Sequence, residues 1–199
     1  ILDPAARDRL STFTAAGGAV LLAGPAATAP DGGPLLDEQK VLVEGESPYT
    51  HTFVRLNDGL ASGAVAFDTV MYERGLRLRP AAGATVLAQV VEPYFERSWD
   101  RFCGHSYTPP NRLSPYAAIV ANERVITVAF PLFVAIAKHG NLAYRDILGG
   151  LLDRLLPDPL LRTRGPAHLE TAVAVRGDTT VVHLLSFIPS RQGELDIIS

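Results

Sequence analysis

Apolar positions along the chain change their period several times, and each change predicts an element. Leu2, Ala6, Leu10 and Phe13 recur at spacings of four, four and three, which puts them on one face of a helix. Asp3 is an N-cap, Pro4 is a first-turn proline with no amide to leave unpaired, and Gly17-Gly18 supplies a left-handed stop. A helix is therefore expected over 4–16. Residues 19–23 (AVLLA) form an unbroken apolar run ending at Gly24-Pro25, the pattern of a strand covered on both faces. A helix feeding a buried strand predicts an α/β arrangement. Because such a unit normally follows an earlier strand, a βα unit is expected upstream of Ile1.

Residues 25–48 are rich in Gly, Pro and Asp around a short apolar patch, Val41-Leu42-Val43, and predict a surface excursion at the end of that strand. Short strands follow at 49–56, 67–72, 76–79 and 85–91, each with β-branched or aromatic residues between breakers. Residues 117–121 and 125–130 predict a hairpin across Asn122-Glu123, since Asn tolerates positive φ. From the N-cap Asn141, the set Tyr144, Ile147, Leu148, Leu151, Leu152 and Leu155 keeps helical phase up to Pro157. A second hairpin is expected from 169–175 and 179–187 around Gly177-Asp178, with Pro189 ending it. The stretch 157–166 is the plausible linker, giving one domain over 1–160 and a hairpin segment over 161–199 that belongs to it or opens a β domain.

Composition narrows the function. The 199 residues are 47% hydrophobic and 20% charged, as in an ordinary globular protein able to bury a core. A net charge of -3 carries no basic field for gripping phosphates, which argues against nucleic acid as a partner. The longest apolar stretch, 125–137, is broken by Pro131 and is far short of the ~20 residues of a membrane helix. A single cysteine, Cys103, excludes an internal disulfide; with no basic, apolar leader at the start, a cytoplasmic location is expected, export of a longer parent aside.

Five stretches taken together carry a resemblance: 13–24 (FTAAGGAVLLAG), 46–49 (ESPY), 91–95 (VEPYF), 102–110 (FCGHSYTPP) and 182–189 (VHLLSFIP). In order and spacing the chain resembles the β-galactosidase trimerisation-type domain of multidomain glycoside hydrolases, including β-galactosidases and α-fucosidase-like proteins. The resemblance implies a flavodoxin-like, class I glutamine amidotransferase-like mixed sheet with flanking helices, here N-terminally truncated. It also implies a position behind a (β/α)8 catalytic barrel, with that barrel as partner and a homo-oligomer, a trimer, as the assembly. The catalytic carboxylates of that family lie on the barrel, so none is carried over to this chain.

Candidate chemistry concentrates in 92–110. Tyr94, Glu96, Arg97, Trp99, His105 and Thr108 are the candidates for a carbohydrate or interdomain contact, because sugars are held by aromatic faces with carboxylate and guanidinium hydrogen bonds. The plainer alternative is a loop held together by its own ion pairs and rings. Glu92, Glu96 and Asp100 supply acids for a glycosidase pair, but Arg97 and Arg101 beside them explain the cluster more simply. Cys103 followed by His168-Leu169-Glu170 has the order of an amidotransferase triad. However, Arg101 and His105 stand where a nucleophile elbow requires glycine, which favours a structural thiol. Cys103 and His105 would be only two metal ligands, and His51, His139, His168 and His183 add no ligand spacing, so neither metal nor cofactor is expected. His139 before Gly140 reads as a helix C-terminal cation and His183 as a strand residue. Gly17-Gly18 precedes its strand, the wrong order for a dinucleotide loop.

Overall fold

The computed structural model describes residues 4–57, 60, 67–166 and 168–187, in two compact units, Ile1–Pro157 and Asp158–Ser199. In the first, helix α1 (Pro4–Ala15) leads to β1 (Val20–Ala23). Then come β2 (Val41–Glu46), β3 (Thr52–Leu56), β4 (Thr69–Met71), β5 (Leu76–Pro80), β6 (Thr85–Pro93), β7 (Pro110–Asn122) and β8 (Val125–Val128). Helices α2 (Leu132–His139) and α3 (Leu142–Leu155) complete it. The second unit is the hairpin β9 (Leu169–Arg176) and β10 (Thr179–Ser186), turning at Gly177 with φ 57°. The expected N-cap Asp3, the apolar position Leu2 and the stop Pro189 lie outside the described residues.

The expected flavodoxin-like, class I glutamine amidotransferase-like α/β sheet is not what folds: the chain is mostly β. The eight strands of the first unit run β1-β8-β7-β6-β3-β4, with β5 joining β7 to β2. Among the described pairings only β1 with β8 is parallel, and the rest are antiparallel. A parallel pair needs a crossover of roughly a dozen residues or more, usually a helix. The segments between β4, β5 and β6, and between β7 and β8, are far too short for one. Register shifts along β6 and β7, between Val86 and Ala88 and again near Gln89 and Pro93, let the long pair bend, and the sheet curls.

Packing explains the placement of the helices. Residues 117–121 of β7 and all of β8 are buried, so this centre is covered on both faces. Tyr144, Ile147 and Leu151 of α3 and Leu132 and Ala135 of α2 join the same core as Ile119, Ile126, Met71 and Leu78. The Asn141 side chain caps α3 by accepting from the Ala143 amide at 2.9 Å, and Gly140, in the left-handed region, closes α2. His139 lies in the last turn of α2, as its place before Gly140 suggests. In the β7–β8 turn the positive φ, 45°, falls on Glu123 rather than Asn122, which stays in the strand and donates to the Glu38 carbonyl at 2.8 Å.

The expected surface excursion over 25–48 is instead built into the protein. Leu35, Leu36, Ala27 and Gln39 are fully buried, beside Val20, Leu22 and Val125. Gln39 accepts from the Leu36 amide at 2.8 Å and donates to the Ala27 carbonyl at 3.1 Å and to Thr127 Oγ1 of β8 at 3.2 Å. One buried amide thus gives the Leu36 N–H its partner and adds a second donor to the Ala27 carbonyl, which also accepts from the Leu35 amide at 3.0 Å. Val41 to Val43 pair with β5 as a strand.

Gln39→Leu strands the Leu36 N–H, while the Ala27 carbonyl keeps the Leu35 amide at 3.0 Å, and is expected to cost about 1–3 kcal/mol, measured by urea unfolding. Burial holds the Tyr144 phenol up at about 12. An unfolded tyrosine ionises near pH ~10, so the unfolded state gains charge first and the stabilisation present below that pH is lost as pH rises towards 12. Tyr144→Phe is expected to be less stable at neutral pH yet to lose less stability between pH 10 and 12 than the parent, in denaturant titrations at both ends of that range.

Candidate functional site

The segment from the end of β6 to the start of β7 carries the residues that sequence analysis singled out, and its base is braced from several directions. The Tyr94 amide donates to the Pro109 carbonyl at 3.3 Å. Thr108 is buried, and its hydroxyl donates to the Phe95 carbonyl at 3.0 Å while accepting from the Phe95 amide at 3.4 Å. Glu96 accepts from the Thr50 amide at 2.9 Å and from Thr50 Oγ1 at 2.5 Å, and Arg74 reaches the same hydroxyl at 3.1 Å while holding the Ser47 carbonyl at 2.6 Å. Thr108 and Glu96 therefore work within the protein to fix the loop on the strand before it.

Beyond this base the loop presents its rings to solvent. Trp99 is 94% exposed, Phe102 76% and Tyr94 62%. His105 and Arg97 are exposed as well, Arg97 on the wall of a hollow of about 140 Å³ that Glu96, Thr108, His51 and Tyr107 also line. The tip is a tight turn in which Ser98 and Arg101 exchange backbone hydrogen bonds and Ser98 Oγ donates to Asp100 Oδ1 at 2.6 Å. Six candidates thus share one loop, divided into buried braces and exposed contacts.

The three acids do not form a pair. Glu92 accepts from Arg112 at 2.9 Å and Ser114 at 2.9 Å on the opposite side of the strand from Pro93, Glu96 is held by Thr50, and Asp100 sits on the tip turn. Their partners are therefore Arg112, Thr50 and Ser98, not the neighbours Arg97 and Arg101. Glu96 is the single carboxylate among the residues lining the hollow, whereas glycoside hydrolysis by two carboxylates needs a second one facing it. The Cys103 thiol donates to the carbonyls of His105 at 3.4 Å and Tyr107 at 3.6 Å, which is a structural role rather than contact with a base. His168 and Glu170 belong to the other compact unit, with Glu170 exposed on β9. Among the described residues no three His, Cys, Asp or Glu side chains gather as metal ligands.

Tertiary structure adds a cluster that spacing does not show. Tyr72 lies between His51 (ring centroids 6.0 Å apart), Tyr107 (5.7 Å) and His139 (5.0 Å), and Phe53 meets Tyr107 at 6.0 Å. Burial, with the hydrogen bond to Tyr107, raises the Tyr72 phenol above the ordinary tyrosine range. Glu73 accepts from Lys138 at 2.9 Å and faces His139 Nε2 at 2.8 Å; the Lys138 hydrogen bond leads in holding its carboxyl below the usual range. Four segments contribute, so only the choice of aromatic and imidazole residues was visible beforehand.

No family model and no curated protein matches the chain. Among solved structures, alpha-L-fucosidase isoenzyme 2 from Paenibacillus thiaminolyticus matches with a TM-score of 0.85 over 98% of this chain, at 24% sequence identity. The chain spans 30% of the length of that fucosidase. The structural neighbour is therefore an α-L-fucosidase, and the likeness is one of fold. No described helix is long and apolar enough to cross a membrane.

Glu96→Ala removes both bonds to Thr50 and is expected to loosen the loop without unfolding the sheet: backbone amides at 94–108 should exchange faster while those of 117–121 keep their protection. Uniform exchange rates in the two segments, or none altered, would count against the brace.

Proposed function

We propose that the chain is a non-catalytic module of a larger carbohydrate-cleaving hydrolase, placed beside a catalytic barrel and presenting the loop after β6 to the mouth of its active site. The observation that carries this reading is Trp99, 94% exposed at the tip of a loop whose base is fastened by Thr108, Glu96 and the Tyr94 amide. Holding a large apolar ring in water on an ordered support gains nothing for the chain alone; it is the arrangement of a contact anchor, and indole faces suit sugars and protein interfaces alike. The likeness to an α-L-fucosidase over nearly the whole of this chain but less than a third of that protein supports a part of a hydrolase rather than a complete one.

Catalysis would come from carboxylates on the partner barrel, consistent with Glu92, Glu96 and Asp100 each serving a separate structural bond. The reading requires one partner and no particular number of copies. A free-standing amidase built on Cys103 has no support from its surroundings, since the thiol's hydrogen-bond partners are carbonyls.

The purified 199-residue chain is expected to show no turnover of nitrophenyl α-L-fucoside or nitrophenyl β-galactoside. Turnover abolished by Glu96→Gln or Asp100→Asn would overturn the assignment. Because Trp99 is the single tryptophan, its emission during titration with fucose or galactose separates the two uses of the loop: a saturable change marks direct sugar contact, and an unchanged spectrum assigns the ring to the barrel surface.

A further inference from the structure

A second concavity, of about 180 Å³, opens on the other face of the sheet, and the period-two alternation of strands explains its make-up. While Phe53 and Pro93 point towards the loop cluster, Thr52 and Val54 of β3 and Val90 and Glu92 of β6 point here, joined by Arg112, Ser114 and Tyr116 of β7. Leu76, Val54, Val90 and Phe130 provide an apolar floor, and Tyr49 and Tyr116 stand on the walls.

The charges here do not balance. Glu92 is largely shielded and already accepts from Arg112 and Ser114. Glu44, just outside, accepts from Arg79 Nε at 2.7 Å and Nη2 at 3.2 Å and from the Tyr116 hydroxyl at 2.7 Å. Those bonds, Arg79 first, keep its carboxyl down at about 2, so it is ionised throughout the neutral range. Arg77 donates from one terminal nitrogen to the Glu44 main-chain carbonyl, while its Nε–H, shut off from solvent, has no acceptor among the described residues. Three guanidiniums, Arg77, Arg79 and Arg112, thus face two committed carboxylates. Arg77 and Arg79 both lie over the Tyr116 ring, at 5.6 and 5.2 Å from its centroid.

We propose that this cleft binds a small acidic sugar, a hydroxylated ring bearing one carboxylate. The carboxylate goes to the Arg77 and Arg112 side, where three guanidiniums stand against two carboxylates and one positive charge is left over. The ring's C–H face rests on Val54, Val90 and Phe130, and its hydroxyls meet Ser114, Tyr49 and the free lone pairs of Glu92. This site goes beyond the loop reading and shares no residue with the exposed ring of Trp99.

The test is calorimetric titration of the 199-residue chain with galacturonate, galactose and acetate at low salt. Galacturonate should bind saturably, and galactose and acetate at least about tenfold more weakly, because each offers only half of the contacts. Arg112→Ala, at a largely exposed side chain, should fold normally by circular dichroism and weaken galacturonate about tenfold or more; Arg77→Gln should do the same if it folds. Galactose binding as tightly as galacturonate, acetate binding as tightly, no saturable heat at all, or full affinity in Arg112→Ala would each overturn the proposal. Since Trp99 is not among the lining residues, heat without a change in its emission reports the cleft, so this site and the loop assignment fail separately.

Discussion

Strand β7 is flanked on both edges: β6 runs along one, while β8 and β5 share the other, β8 pairing with 119–122 and β5 meeting Ala117. Its central residues are also buried on both faces. A backbone in that position has no water to fall back on, so each N–H and C=O must find a neighbouring strand. This requirement brings β5 and β8 to the same edge and splits the sheet there, carrying β2 on one branch and β1 on the other. The register shifts against β6 bend this long pair.

That bend has consequences at both candidate sites. At one end of the β6–β7 pair the strands separate into the 94–109 connection, whose base is closed by Thr108 and tied sideways to Thr50 by Glu96. On the other face, where Glu92, Arg112 and Ser114 stand across the same two strands, the curled sheet and β5 enclose a cleft. One strand pair therefore presents exposed aromatic rings on a loop and a shielded polar concavity behind it. The loop suits a contact with a large surface, and the cleft a small ligand.

Many elements were legible from local pattern. The helix over 4–16, the capped helix from Asn141, the hairpin around Gly177 and the strands near 52–56, 69–71, 76–80 and 85–93 follow from spacing, caps and breakers, which act within a few residues. The α/β expectation rests on one helix and one apolar strand, whereas the short strands between 41 and 128, joined from β4 to β6 and from β7 to β8 by connections too short for a crossover, point to an antiparallel sheet. Strand β2 was hidden by the Gly- and Pro-rich residues before it; what makes it a strand is its partner β5. The paired Arg77 and Arg79, two residues apart in a strand, were a readable sign that both guanidiniums share a face.

The sequence by itself determined the first helix, the capped helix from Asn141, the hairpin at Gly177 and most of the strands, and that aromatic and charged residues gather between 92 and 110. It did so because capping, turn conformation and side-chain period are short-range properties of the chain. Tertiary structure alone decided that β7 takes partners from both directions, that Gln39 locks 25–40 into the interior, and that Glu92 and Glu96 face opposite ways. It alone assembled His51, Tyr72, Tyr107 and His139 from four separate segments. Those choices rest on strand register and on satisfying buried polar groups across long separations, a competition among whole arrangements that no local window contains.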